Sequence, residues 1–262
     1  MEIERGVFGT IPYAAVGSGA PVVVAAGLWT DTGVASDSFV HSSLTMLRRL
    51  AGRRRLIVLN RRPHLPDDLT MAMLAAEYAD AIRAAGVAPV DLVGTSTGGS
   101  IAQQVAADHP DTVRRLVLVS SACRLGSVGR QAQYAVAADL RRGMTRPAMG
   151  SAVASLAPPG LRTLARGVGW VAAGRLVSDD AAADMAVTIE AEDGFDLAES
   201  TRTISAPTLI LAGGRDRFYS PELFAETAAL IPRSRLRLFP RRGHISVTMD
   251  RQAQAALDAF LD

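Results

Sequence analysis

The stretch Val90-Asp91-Leu92-Val93 runs without a linker into Gly94-Thr95-Ser96-Thr97-Gly98-Gly99, and the next residues put Ile101, Ala102, Val105 and Ala106 on one helical face. A buried strand must therefore turn into a helix within about five residues. Such a turn crowds its own backbone, which is why small residues fill it. A strand feeding directly into a helix is half of a strand–helix–strand crossover, and crossovers of this kind build parallel sheets covered by helices on both faces. This one segment already excludes all-helical and all-β architectures.

The rest of the chain repeats the pattern. Ile3 to Phe8 and Ile11 to Val16, split by Gly9-Thr10, read as a hairpin, and Gly17-Ser18-Gly19 breaks the chain before the strand at Val22-Val23-Val24. Leu56 to Leu59 is a continuous apolar strand. Thr70 caps a helix with Met71, Leu74, Tyr78 and Ile82 on one face, closed by Gly86. Val113 to Val119 is the next strand. From Leu125 the strand signal stops for about seventy residues of alanine- and arginine-rich helix, Gln131 to Arg142, Leu161 to Val177 and Ala181 to Glu192. It returns at Thr208 to Leu211, followed by a helix capped by Ser220-Pro221, a strand over Leu236 to Phe239 and a last helix over Gln252 to Leu261. The expected class is α/β, a doubly wound and mostly parallel sheet whose core, residues 1–124 and 200–262, is split by a helical insert over 125–199.

Composition narrows the chemistry. With 262 residues, 48% of them hydrophobic, the chain can bury a sizeable core without disulfides. The net charge of +2 does not point to nucleic acid. No lysine is present, which removes Schiff-base, pyridoxal-phosphate and phosphate-loop chemistry. Cys123 is the single cysteine, no metal-binding motif occurs, and Gly17-Ser18-Gly19 precedes its strand where a dinucleotide fingerprint would follow it, so no cofactor or metal is expected. Arg53-Arg54-Arg55 and Arg61-Arg62 read as a solvated rim. The longest apolar run, Val22 to Ala26, is too short for a membrane span, and the N-terminus has no apolar signal core, so a cytoplasmic location is expected.

Gly94-Thr95-Ser96-Thr97-Gly98 fits the G-x-S-x-G elbow, in which a serine on a sharp turn exposes its hydroxyl above the sheet beside the positive end of a helix. Such a hydroxyl needs a base. Of four histidines, His109 stands at a helix end, and His41 and His64 precede the serine. His244 follows the last strand and a glycine, at the sheet's carboxyl edge where ligands bind in open α/β sheets. The orienting acid belongs on a neighbouring strand end. Asp216, after Gly213-Gly214-Arg215, holds that place, with Asp193 and Asp196 in the insert as weaker candidates.

The order Ser96, Asp216, His244, with the elbow and the insert between the sixth and seventh strands, resembles the α/β-hydrolase family over nearly the full chain. The resemblance implies a helical cap, Ser96 as nucleophile, His244 as general base, Asp216 as its orienting acid, and an oxyanion hole made by the backbone N–H groups of Leu28 and Thr97. Two segments depart from the family pattern. Ala26-Gly27 replaces His-Gly before the oxyanion residue, and Asn60-Arg61-Arg62-Pro63-His64-Leu65-Pro66 replaces the Asp-x-x-Gly-x-Gly-x-Ser segment. Trp29, Tyr134, Met149 and Trp170 are candidates to line an apolar acyl pocket. The expected activity is hydrolysis of a carboxylic ester, thioester or lactone on an apolar small molecule. The same scaffold serves acyltransferases, cofactor-free haloperoxidases, lyases, C–C hydrolases and non-catalytic binding proteins, and these stay open alternatives.

Overall fold

The computed structural model describes residues 2–30, 32–157, 159–200 and 202–262. Among the described residues eight strands form one sheet: β1 (Glu4–Phe8), β2 (Ile11–Val16), β3 (Ala20–Ala25), β4 (Arg54–Leu59), β5 (Val90–Thr95), β6 (Val113–Val119), β7 (Thr208–Gly213) and β8 (Ser234–Phe239). Their order across the sheet is β1-β2-β4-β3-β5-β6-β7-β8. The β1–β2 hairpin is antiparallel and β2 meets β4 antiparallel; every pairing from β4 through to β8 is parallel. This is the mostly parallel, doubly wound sheet expected from the alternating pattern.

The continuous apolar strands face helices on both sides. On β6, Leu116 and Leu118 join Tyr78, Leu74, Val105 and Phe224 on one face, while Val117 and Val119 join Phe39, Leu257 and Leu261 on the other. The first face is covered by α2 (Met71–Ala84), α3 (Thr97–Asp108) and α8 (Pro221–Leu230), the second by α1 (Asp37–Ser43) and α9 (Arg251–Leu261). Each fully buried aliphatic side chain contributes about 1.5–3 kcal/mol, so runs with no alternation are what a two-sided core requires. The Thr70 hydroxyl caps α2 by accepting from Met73 N–H, and the Ser220 hydroxyl caps α8 by accepting from Leu223 N–H. The strand β8 starts at Ser234, two residues before its apolar run, because it is the edge strand and Arg235 and Arg237 sit on its exposed positions.

Among the described residues, four α-helices lie between β6 and β7: α4 (Ser127–Arg141), α5 (Thr145–Leu156), α6 (Arg162–Leu176) and α7 (Asp179–Asp193). They share a cluster of their own, including Val136, Leu140, Met149, Met185 and Ile189, against which the side chain of Leu28 packs. Among the described residues no helix is long and apolar enough to cross a membrane.

Candidate active site

The sheet order places β5 at the centre, between β3 and β6, and the chain leaves β5 through Ser96. Ser96 has φ +53° and ψ −126°, a region that costs a non-glycine residue about 1–3 kcal/mol. Close packing holds it there. A Cβ on Gly94 would collide with the Gly98 carbonyl oxygen, and one on Gly98 with the carbonyl oxygens of Ala25 and Ala26, so α3 starts hard against β3 only because both positions are glycine. Ser96 N–H donates to Val119 O at 2.9 Å, locking the turn to β6.

Three chain segments meet at the Ser96 hydroxyl. His244 Nε2 lies 3.0 Å from Ser96 Oγ, and His244 Nδ1 lies 2.8 Å from Asp216 Oδ2. The other oxygen of Asp216 accepts from the N–H groups of Phe218 at 2.9 Å and Tyr219 at 3.3 Å, which fixes the carboxylate plane. The loops after β7 and β8 are tied together by Arg215 N–H donating to Arg242 O at 2.8 Å. Ser120 sits at the end of β6 with φ +49°, and its hydroxyl donates to His244 O at 2.7 Å, so a third loop fixes the histidine backbone. The rings of Phe218 and Tyr219 flank the imidazole with centroids at 4.9 and 6.0 Å. The His244 side chain is 8% exposed and that of Asp216 is fully buried, a low-dielectric setting that strengthens their hydrogen bond.

The remaining sequence candidates are placed elsewhere. His41 Nδ1 faces the Asp37 carbonyl, His64 lies in the loop after β4, and His109 ends α3. Asp193 pairs with Arg130, and Asp196 caps a short turn through Ala198 N–H. Of the pocket candidates, Met149 is buried among the insert helices, Tyr134 is 71% exposed on α4, and Trp29 and Trp170 are each 45% exposed, the latter beneath the Arg146 guanidinium. The backbone N–H groups of Leu28 and Thr97 have no hydrogen-bond acceptor among the described residues. Leu28 follows β3 and Thr97 opens α3, the strand and the helix that flank the Ser96 turn.

One reading needs correction. Arg61 is not part of a solvated rim: it is 2% exposed and donates to Trp29 O at 3.0 Å, in the loop that carries Leu28. Burial lowers the pKa of its guanidinium. Its neighbour Arg62 makes a forked pair with Glu77. The arginine-rich loop is also pinned from the insert, where Asp184 accepts from the N–H groups of His64 at 3.0 Å and Leu65 at 2.7 Å. Pattern reading treats an arginine pair in a loop as surface and has no means to detect such pins.

Sequence reasoning missed Glu192 altogether. It lies in the last turn of α7 almost fully buried, 1% exposed. Its Oε2 accepts from Thr97 Oγ1 at 2.7 Å and Gln133 Nε2 at 3.2 Å; its Oε1 accepts from Ser100 Oγ at 2.8 Å and Tyr219 Oη at 3.4 Å. Burial pushes its carboxyl above the ordinary value, opposed by the hydrogen bonds from Thr97, Ser100 and Gln133 and by nearby His244. A signal was present: Asp184, Thr188 and Glu192 recur every four residues on a helix otherwise rich in Ala, Val, Ile and Met, and all three are buried.

Known proteins are similar to this chain in sequence and in fold. A pyrrolizixenacetamide deacetylase of Xenorhabdus hominickii is 29% identical over 150 residues, 56% of this chain and 56% of the relative, so the likeness spans little more than half of that protein. A pimeloyl-[acyl-carrier protein] methyl ester esterase of Neisseria meningitidis serogroup C is 28% identical over 196 residues, 68% of this chain and 72% of the relative. The crystal structure of the enol-lactonase from Burkholderia xenovorans LB400 superposes with a TM-score of 0.75 at 20% identity, covering 99% of this chain and 100% of that one. The sequence pattern of the alpha/beta hydrolase family matches residues 22–259, from the third strand through the serine turn, the insert and both later loops to the last helix, and the chain belongs to that family.

Proposed function

We propose that this protein is a serine hydrolase that cleaves a carboxylic ester, or a related thioester or lactone, through an acyl-enzyme on Ser96. The observation that carries the reading is the hydrogen-bonded chain from Ser96 through His244 to Asp216, at 3.0 and 2.8 Å. His244 Nε2 takes the hydroxyl proton as Ser96 Oγ bonds to the substrate carbonyl carbon. The carbonyl oxygen becomes an oxyanion held by Leu28 and Thr97 N–H groups, and Asp216 stabilises the imidazolium. The proton on Nε2 passes to the leaving oxygen as the tetrahedral intermediate collapses. Water then repeats the sequence on the acyl-enzyme, releasing the acid and restoring the Ser96 hydroxyl.

The helical insert over 125–199 acts as a cap in this reading, with the side chain of Leu28, itself part of the oxyanion loop, packed on the insert's apolar cluster. The relatives support an acyl substrate by their names, a deacetylase and a methyl ester esterase. The test is turnover of p-nitrophenyl butyrate together with labelling by a fluorophosphonate. The reading requires a rapid p-nitrophenol release that the probe abolishes, with the phosphonyl group on Ser96. Labelling of another residue, or an unlabelled protein without turnover, refutes it. Partition of the acyl group between water and an added alcohol or thiol separates hydrolysis from acyl transfer.

A further inference from the structure

The oxyanion loop and the serine turn belong to the core, yet the side chain that grips Thr97 comes from the insert. Thr97 Oγ1 donates to Glu192 Oε2 at 2.7 Å, and one helical turn on, Ser100 Oγ donates to Oε1 at 2.8 Å. Both donors stand in the first turns of α3, so the carboxylate braces the start of the helix from outside. Gln133 of α4 supplies a further N–H at 3.2 Å, anchoring Glu192 within the insert, and Tyr219, just before α8, supplies a hydroxyl at 3.4 Å. The ionisable groups that face it from other elements are His244 from the loop after β8 and Arg61 from the loop after β4.

Packing alone gives no reason for a carboxyl group here. Burying one is costly unless hydrogen bonds offset the loss of water, and an apolar side chain of the same size joins insert to core without that cost. What a carboxyl group supplies and an apolar one does not is a directional acceptor pair, aimed at the two hydroxyls that follow the nucleophile.

We propose that Glu192 is a positioning residue through which the helical insert sets the oxyanion hole, its carboxyl oxygens holding the Thr97 and Ser100 hydroxyls so that Thr97 N–H points at the reacting carbonyl oxygen. The inference rests on the assignment of Ser96 as nucleophile and Thr97 as oxyanion donor. It adds that the donor geometry is complete only while α7 is docked on α3. A substrate that displaces α7 therefore loses transition-state stabilisation even when its carbonyl still reaches Ser96. Losing one oxyanion donor outright lowers kcat by about 10²–10³-fold, and a donor that is loosened and not lost lies below that, at roughly 10–100-fold.

Four single variants and one double variant test this. Glu192→Met keeps the length and removes the acceptors; it lowers kcat by roughly 10–100-fold with KM changed less than about threefold. Glu192→Gln keeps an acceptor for Thr97 and restores kcat to within a fewfold. Thr97→Val retains the backbone N–H, removes the hydroxyl and changes no atom of the insert, so it reports even if Glu192→Met fails to fold; it reproduces the kcat loss, and Thr97→Ser restores it. Because both positions act through one hydrogen bond, Glu192→Met combined with Thr97→Val is no slower than the worse single variant. Wild-type kcat in folded Thr97→Val, a loss confined to KM, or losses that multiply in the double variant overturn the proposal. Site-resolved hydrogen exchange gives a readout without any substrate. The Gly99 and Ser100 amides, which donate to Ser96 O at 2.7 and 3.3 Å, exchange faster in Glu192→Met, or in Thr97→Val if the first is unfolded. Unchanged exchange overturns the proposal whether or not esters are hydrolysed, whereas faster exchange without ester turnover or Ser96 labelling sinks the hydrolase reading and the oxyanion role of Thr97 that rests on it, and leaves only the Glu192 brace on α3.

Discussion

Replacing Asp216 with asparagine preserves the shape of the site and inverts its proton arrangement. One carboxylate oxygen accepts two backbone N–H groups, from Phe218 and Tyr219, while the other faces His244 Nδ1 at 2.8 Å. In the variant the amide oxygen stays with the two backbone donors, because turning the NH₂ towards them sets donor against donor. The NH₂ then faces Nδ1, which must accept, and the imidazole proton moves to Nε2. That nitrogen lies 3.0 Å from Ser96 Oγ and with a proton on it no longer takes the serine's proton. A wrong tautomer of this kind costs about 10⁴-fold in kcat, roughly 5.5 kcal/mol at 1.36 kcal/mol per decade. Stability changes little by comparison, since one buried hydrogen bond is exchanged for another. The assay is steady-state kcat on p-nitrophenyl butyrate at neutral pH, with circular dichroism and melting as controls. A folded Asp216→Asn protein within tenfold of the wild-type kcat refutes the reasoning, as does equal or greater sensitivity at Asp193 or Asp196.

Ser96→Ala removes turnover by on the order of 10⁶-fold with the fold intact, read as p-nitrophenol release and near-native melting; residual activity within tenfold of wild type contradicts the nucleophile assignment. Leu28→Ala changes substrate packing by about 1–3 kcal/mol in kcat/KM, whereas Leu28→Pro deletes the N–H and lowers kcat by about 10²–10³-fold; equal kcat in the two folded variants moves the second donor to another group. Glu192 is pushed above its ordinary pKa of 4.5, so its favourable contribution to folding is complete below that pH and declines as pH rises through the folded-state value. Glu192→Gln does not titrate, so its melting temperature minus that of wild type rises from about pH 4.5 upward; a difference independent of pH from 4 to 8 counts against a raised carboxyl pKa.

The sequence was most informative where burial is local and repetitive. The runs at Val22, Leu56, Val113 and Leu209 appear as strands because residues covered on both faces need no alternation, and Leu116 to Val119 indeed divide between the two sides of the sheet. The sharp turn at Ser96 was legible because a strand that enters a helix so abruptly imposes glycines on its neighbours, and Gly94 and Gly98 meet backbone atoms that leave no room for a side chain. Asp216 and His244 followed from topology, since strand ends of a parallel sheet share one edge.

What only the tertiary structure decided concerns polar side chains whose partners lie far along the chain. Glu192 is 95 residues from Thr97, Asp184 is 119 from Leu65, and Ser120 is 124 from His244. Read locally, Glu192 and Ser120 are ordinary polar residues near a helix or strand end, Asp184 is one acid within a helix, and Arg61 is an ordinary loop arginine. Apolar periodicity records which face of an element is dry, and every apolar residue on that face carries the same message. A buried polar group carries its meaning in the direction of one hydrogen bond, and that direction exists only once the insert has docked on the sheet.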